Sequence, residues 1–164
     1  MTEQTGLLFV CLGNICRSPL AEGLFIHLAQ ERGVLDRFDI DSCGTGNWHV
    51  GSQADTRSIE VAVRHGVHLP SVCRQVEPES DFDRFDLLLA MDRSNASDLL
   101  ALGARPDQVR LLRSFDAALA GASSDELDVP DPYFGPGDGF ERSYEMLTAA
   151  CRGLLEDLCA NSDA

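Results

Sequence analysis

The run Leu7-Leu8-Phe9-Val10 leads directly into Cys11-Leu12-Gly13-Asn14-Ile15-Cys16-Arg17, and Ser18-Pro19 then opens a helical pattern. An uninterrupted apolar run of this length fits a strand covered on both faces. Proline is at home in the first turn of a helix, and serine ahead of it reads as the N-cap. The chain must therefore pass from a buried strand to a helix through one short loop. That confines it to α/β architectures, in which the carboxyl ends of the strands carry the ligand site.

The rest of the sequence repeats this alternation. Strand one is Gly6 to Val10, and its helix carries Leu20, Leu24 and Leu28 inward before stopping near Gly33. Strand two spans Phe38 to Ser42, followed by a loop rich in glycine from Gly44 to Gly51 and a helix from Thr56 to His65, capped by Asp55 and ended by Gly66. Phe85 to Met91 reads as a central strand, Ser94 to Leu102 as a short helix, and Val109 to Leu112 as a fourth strand. A turn-rich stretch from Gly121 to Gly139 precedes a closing helix from about Phe140 to about Leu158. The pattern predicts one domain over residues 1–164: a four-stranded parallel sheet with helices on both faces, in the flavodoxin-like order 2-1-3-4, with a phosphate loop after strand one. An apolar content of 44% suffices for one core.

Composition removes several kinds of function. All 13 basic residues are arginine, which excludes lysine Schiff-base chemistry and a Walker-type phosphate lysine. A formal charge of −14 argues against nucleic acid and anionic membrane surfaces as partners, because both require a basic footprint. The first residues, Met1 to Thr5, lack the positive segment of a secretion signal, so a cytoplasmic location is expected. In that compartment the six cysteines are expected as thiols, with Cys43, Cys73, Cys151 and Cys159 as packing residues. Cys11 and Cys16 call for a chemical role.

A cysteine attacks as its thiolate, which a helix N-terminus, a cation and converging N–H groups all favour. The loop supplies each of them. Successive N–H groups of Leu12, Gly13, Asn14, Ile15, Cys16, Arg17 and Ser18 can form a nest for phosphoryl oxygens, while the Arg17 guanidinium binds two of them bidentately. With six cysteines and 13 arginines, a cysteine six positions before an arginine means little by itself; its strand–loop–helix setting gives it weight. Asp131, between Pro130 and Pro132, is the candidate acid for a leaving group, although Asp-Pro alone more often marks a turn. Leu12, Ile15, Trp48, Tyr133 and Phe134 are the candidate pocket walls. Trp48 is placed on the pocket rim, with an anchor for its loop as the alternative, and Ser18 can cap the helix, donate to the Cys11 sulfur, or do both.

At these residues the chain resembles the low-molecular-weight protein tyrosine phosphatases, whose loop runs Cys-x-Gly-Asn-x-Cys-Arg-Ser-Pro and whose acid lies in Asp-Pro-Tyr followed by an aromatic. The likeness extends through Asp41-Ser42, the Gly-Thr…Trp loop, Cys73-Arg74-Gln75, Met91-Asp92, Ser94-Asn95 and the last helix. It implies phosphomonoester cleavage without metal or cofactor: Cys11 as nucleophile, Arg17 as phosphate clamp, Asp131 as acid then base, and Asn14, Ser18 and Ser42 bracing the loop. Substrates would be phosphotyrosine proteins, inorganic phosphate and related oxyanions would inhibit, and the protein would act as a monomer or at most a weak dimer. Ile15 resembles the bulkier apolar residue of tyrosine-directed members, where arginine-directed ones carry threonine. Cys16 resembles the second loop cysteine that traps oxidised Cys11 as a disulfide. The family's histidine in His-x-Ala-Arg-Gln is replaced within Ser71-Val72-Cys73-Arg74-Gln75, leaving Ser71 or a water for the bracing, with His65 and His68 near in sequence.

Two other functions compete. Arsenate reduction on this fold needs a further cysteine pair after the third strand, and no cysteine lies between Cys73 and Cys151. A non-hydrolysing phosphotyrosine sensor would not need Cys11, Arg17 and Asp131 together.

Overall fold

The computed structural model describes residues 3–162. Strands β1 (Thr5–Cys11), β2 (Phe38–Gly44), β3 (Leu87–Ala90) and β4 (Val109–Leu111) form one parallel sheet in the expected order β2-β1-β3-β4. β1 is central, in register with β2 from Thr5↔Phe38 to Cys11↔Gly44 and with β3 from Leu7↔Leu87 to Val10↔Ala90. Leu7 and Phe9 enter one core, Leu8 and Val10 the other. The run reads as continuously apolar because neither face meets water.

Helices α1 (Arg17–Arg32), α2 (Thr56–Arg64) and α5 (Gly139–Ser162) cover the first face with Leu20, Leu24, Phe25, Val61 and Leu154. Leu28 is half-buried at the edge of that core. Helices α3 (Pro78–Arg84) and α4 (Arg93–Ala101) cover the second face with Phe82 and Leu99. α1 stops where expected, at Gly33, whose φ of 75° is a left-handed conformation that suits glycine.

The third strand and the segment before it differ most from the sequence expectation. β3 pairs only over Leu87–Ala90, because Phe85 ends α3 with its ring buried, and the Asp86 carboxylate accepts the Gly6 N–H at 2.7 Å. α3 itself is additional. Pro78 opens it, and the Asp81 carboxylate accepts the Glu77 N–H at 2.8 Å. Beyond β3, Met91 donates to the Val10 carbonyl at 3.1 Å and accepts from Val129 N–H at 2.8 Å. That second bond holds the segment carrying Asp131 over the carboxyl end of the sheet. Among the described residues no helix is long and apolar enough to cross a membrane.

Candidate active site

β1 delivers Cys11 to the loop, and the loop turns on Asn14. Asn14 has φ 58°, the one positive φ outside glycine among the described residues. Asparagine tolerates this conformation because its side chain can bond nearby groups. Here it is fully used: Nδ2 donates to Ser18 Oγ at 2.8 Å and Ser42 Oγ at 3.1 Å, and Oδ1 accepts from Arg74 N–H at 3.0 Å. The Asn14 N–H points at Cys11 Sγ, 3.3 Å away. Gly44 of β2 lets the loop descend this far, since a Cβ there would stand 2.7 Å from the Leu12 carbonyl oxygen.

Ser18 is not the helix cap. α1 begins at Arg17 with Cys16 in the cap position, and the Ser18 hydroxyl lies 3.0 Å from Cys11 Sγ. Ser18 therefore lies inside the first turn rather than ahead of it, and that turn has no side-chain cap and directs its N–H groups toward the loop.

Arg17 is almost wholly buried. Its Nη1 donates to Asp92 Oδ2 at 2.6 Å and to the Val129 carbonyl at 3.0 Å, its Nη2 lies 3.7 Å from Asp131 Oδ2, and its buried Nε has no partner. Burial opposes the guanidinium charge, but the Cys11 sulfur, the Asp92 hydrogen bond and charge, and Asp131 outweigh it and raise the pKa above the ordinary arginine value. Asp131 caps a single helical turn, Pro132–Phe134, by accepting the Tyr133 N–H at 3.1 Å. Together Cys11, Arg17 and Asp131 line a cleft of about 370 Å³ walled by Leu12, Ile15, Trp48, Tyr133 and Phe134.

The family model for low molecular weight phosphotyrosine protein phosphatase matches residues 6–164. A low molecular weight protein-tyrosine-phosphatase of Streptomyces coelicolor is 46% identical over 150 residues, covering 90% of this chain and 89% of that protein. The chain belongs to the low molecular weight protein tyrosine phosphatase family. It is accordingly a phosphoric monoester hydrolase. Among solved structures, a protein tyrosine phosphatase of Entamoeba histolytica superposes with a TM-score of 0.87 at 35% identity, covering 97% of this chain and 99% of that one. A Drosophila arginine phosphatase superposes at 0.81 with 32% identity, covering 93% and 96%.

In this phosphatase the bracing beneath the loop runs through a serine pair. Ser42 donates to Glu22 Oε1 at 2.7 Å, and the Ser71 hydroxyl lies 3.5 Å from that of Ser42. His65 is elsewhere, stacked on Tyr144 and 2.7 Å from Glu141 Oε1, and His68 is exposed. Burial pushes the Glu22 carboxyl up to about 7 against the hydrogen bonds from Ser42 and Ser71; Asp41 adds to the rise and Arg74 opposes it. Cys16, buried, is pushed up to about 12 by desolvation first, then by Asp55, Cys11 and Asp131. Cys43, Cys73, Cys151 and Cys159 are buried and free, as expected of packing residues. Cys73 donates to the Asn14 carbonyl at 2.8 Å, so it also supports the loop from below.

Three site residues escaped the sequence reading: Asp92 behind Arg17, Glu22 beneath Ser42, and His49 on the cleft wall. Asp92 also accepts the Asn95 N–H at 2.8 Å as the cap of α4, and that cap signal, Asp92 ahead of Asn95, was available in the sequence. Trp48 stands out from the surface at 69% exposure, a wall and not a buried anchor.

Proposed function

We propose that this phosphatase hydrolyses phosphotyrosine in proteins, and small aryl phosphates, through a phosphocysteine intermediate. The observation that carries the reading is one cleft holding a sulfur, a buried guanidinium with a free N–H and a carboxyl group beneath aromatic walls. The Cys11 thiolate attacks phosphorus while the loop N–H groups and Arg17 hold the equatorial oxygens, where the charge of a loose transition state accumulates. The bond from phosphorus to the tyrosine oxygen breaks, and Asp131 gives its proton to the leaving phenolate. Asp131 then takes a proton from water, the hydroxide attacks phosphorus, and inorganic phosphate leaves with the thiolate restored.

Asn14, Ser18 and Ser42 position the loop. Leu12, Ile15, Trp48, Tyr133 and Phe134 receive the aryl ring, which apolar and aromatic walls favour over an aliphatic phosphate. Inorganic phosphate and similar oxyanions compete for the same nest. Residues 1–164 act as one cytoplasmic domain, monomeric or weakly dimeric, whose Cys16 protects oxidised Cys11.

The test is steady-state turnover of a phosphotyrosine peptide, a phosphoarginine peptide and arsenate with a thiol reductant. Phosphotyrosine turnover that vanishes in Cys11→Ser, with phosphate binding retained, is expected. Faster turnover of phosphoarginine, which the Drosophila relative makes the rival outcome, would overturn the reading, as would arsenate reduction without ester hydrolysis.

A further inference from the structure

Trp48 divides two depressions. One is the cleft over Cys11; the other, a groove of about 350 Å³ on the far side, is walled by Leu12, Trp48, Ala101 and Leu102 and carries a carboxylate, Asp98. Leu12 and Trp48 belong to both. The indole is held in place from below: it lies so close over Gly46 that a Cβ at that position would overlap its six-membered ring. Leu12 and Leu102 are exposed at 42% and 44%, so apolar surface continues out of the cleft, past the indole and onto α4.

We propose that this groove binds a lysine or arginine of the substrate protein, one or two positions from the phosphotyrosine. The inference rests on the tyrosine-phosphatase reading above. An extended peptide advances ~3.3 Å per residue, so with the phosphotyrosine ring in the cleft a neighbouring side chain lies across the indole from it. Walls of leucine, alanine and tryptophan suit the aliphatic stem of a long basic side chain, and the Asp98 carboxylate among them suits its charged head. Asp98 is half-buried and takes part in no ion pair among the described residues. By contrast Asp92, earlier in the same segment, is committed to Arg17, and Asp128 to Arg93 at 3.0 Å.

The formal net charge of −14 favours any basic peptide, so the experiment must separate the groove from the bulk field. Phosphotyrosine peptides of one sequence, differing only in lysine, alanine or glutamate at the flanking positions, are compared by kcat/KM in the parent, in Asp98→Asn and in Asp107→Asn. Asp107 is an exposed residue ahead of β4, at the opposite end of the sheet, and its change alters net charge equally. The parent is expected to favour the lysine peptide over the alanine peptide about fivefold, the upper range for a partly exposed ion pair. Asp107→Asn should keep that preference, Asp98→Asn should lose it, and p-nitrophenyl phosphate turnover should be the same in all three. A parent without preference, or one whose preference survives Asp98→Asn, overturns the proposal. Failure to hydrolyse any of the peptides, with p-nitrophenyl phosphate still cleaved, would instead refute the underlying substrate assignment.

Discussion

Arg17 Nη1 and Asp92 Oδ2 stand 2.6 Å apart, joining the first residue of α1 to the cap of α4 across the carboxyl end of the sheet. With Nη1 also on the Val129 carbonyl, one edge of the guanidinium is fixed and Nε is left for an oxyanion. Asp92→Asn keeps the capping oxygen for Asn95 but removes the charge. Breaking a largely buried pair in this way costs about 3 kcal/mol. A guanidinium displaced by even about 1 Å lowers turnover by about 10²-fold. Thermal unfolding and kcat on an aryl phosphate should both fall; an unchanged kcat would mean that Arg17 needs no help from Asp92.

Glu22 gives the molecule a pH-dependent stability. Its carboxyl titrates at about 7 in the folded protein against 4.5 for an ordinary glutamate, so the unfolded chain gives up its proton at lower pH. Folding is therefore favoured most below about pH 4.5, loses stability as pH rises through 7, and changes no further from this group above that. The difference between about 7 and the ordinary 4.5 amounts to about 3 kcal/mol. Glu22→Gln keeps the acceptor for Ser42 without a titrating proton. Between pH 5 and pH 7.5 its melting temperature should fall less than that of the parent, whereas parallel curves would show that Glu22 titrates normally.

The parallel α/β architecture and the identity of the loop were legible because both depend on local pattern. The β1 residues are apolar throughout, the helices stop at glycines, and Cys11, Asn14, Arg17 and Ser18 lie close together in sequence. What failed depends on contacts between distant segments. Ser18 reads as a cap, yet the loop folds so that α1 opens at Arg17 and Ser18 falls inside its first turn, with its hydroxyl against the Cys11 sulfur. Glu22, in a helix between Ala21 and Gly23, resembles a surface glutamate until β2 brings the Ser42 hydroxyl against it. α3 was missed since Phe82 is its one apolar anchor and its other residues suggest a loop. His65 and His68 lie near Ser71 in sequence, yet α2 carries His65 toward α5 and Tyr144.

Cys16 is a protonated thiol at neutral pH, because burial holds it at about 12. Capture of a Cys11 sulfenic acid needs its thiolate, and the captured product is a disulfide plus water. Oxidation of Cys11 removes one of the negative charges that raise the Cys16 value, which favours capture at the moment it is needed. After a peroxide pulse, activity recoverable by thiol should be lower in Cys16→Ser than in the parent. The parent's rate of capture should climb ~tenfold per pH unit while the thiolate remains a minor species. Equal recovery in the two proteins would leave Cys16 as a packing residue only.

Asp131 is 40% exposed at the mouth of the cleft, tied to the Tyr133 N–H through Oδ1 while Oδ2 faces Arg17 at 3.7 Å. This leaves Oδ2 as the oxygen that can carry a proton to a leaving phenolate. Its value as an acid depends on how much the leaving group needs protonation. A nitrophenolate departs unaided, whereas tyrosine and unsubstituted phenol do not. Asp131→Asn, which preserves the turn by still accepting from Tyr133, should slow phenyl phosphate by about 10²–10⁴-fold. It should slow p-nitrophenyl phosphate far less, so that a plot of log kcat against leaving-group pKa becomes steep. Equal slowing of both esters would assign Asp131 to holding Arg17 or the loop, and the proton would have to come from elsewhere.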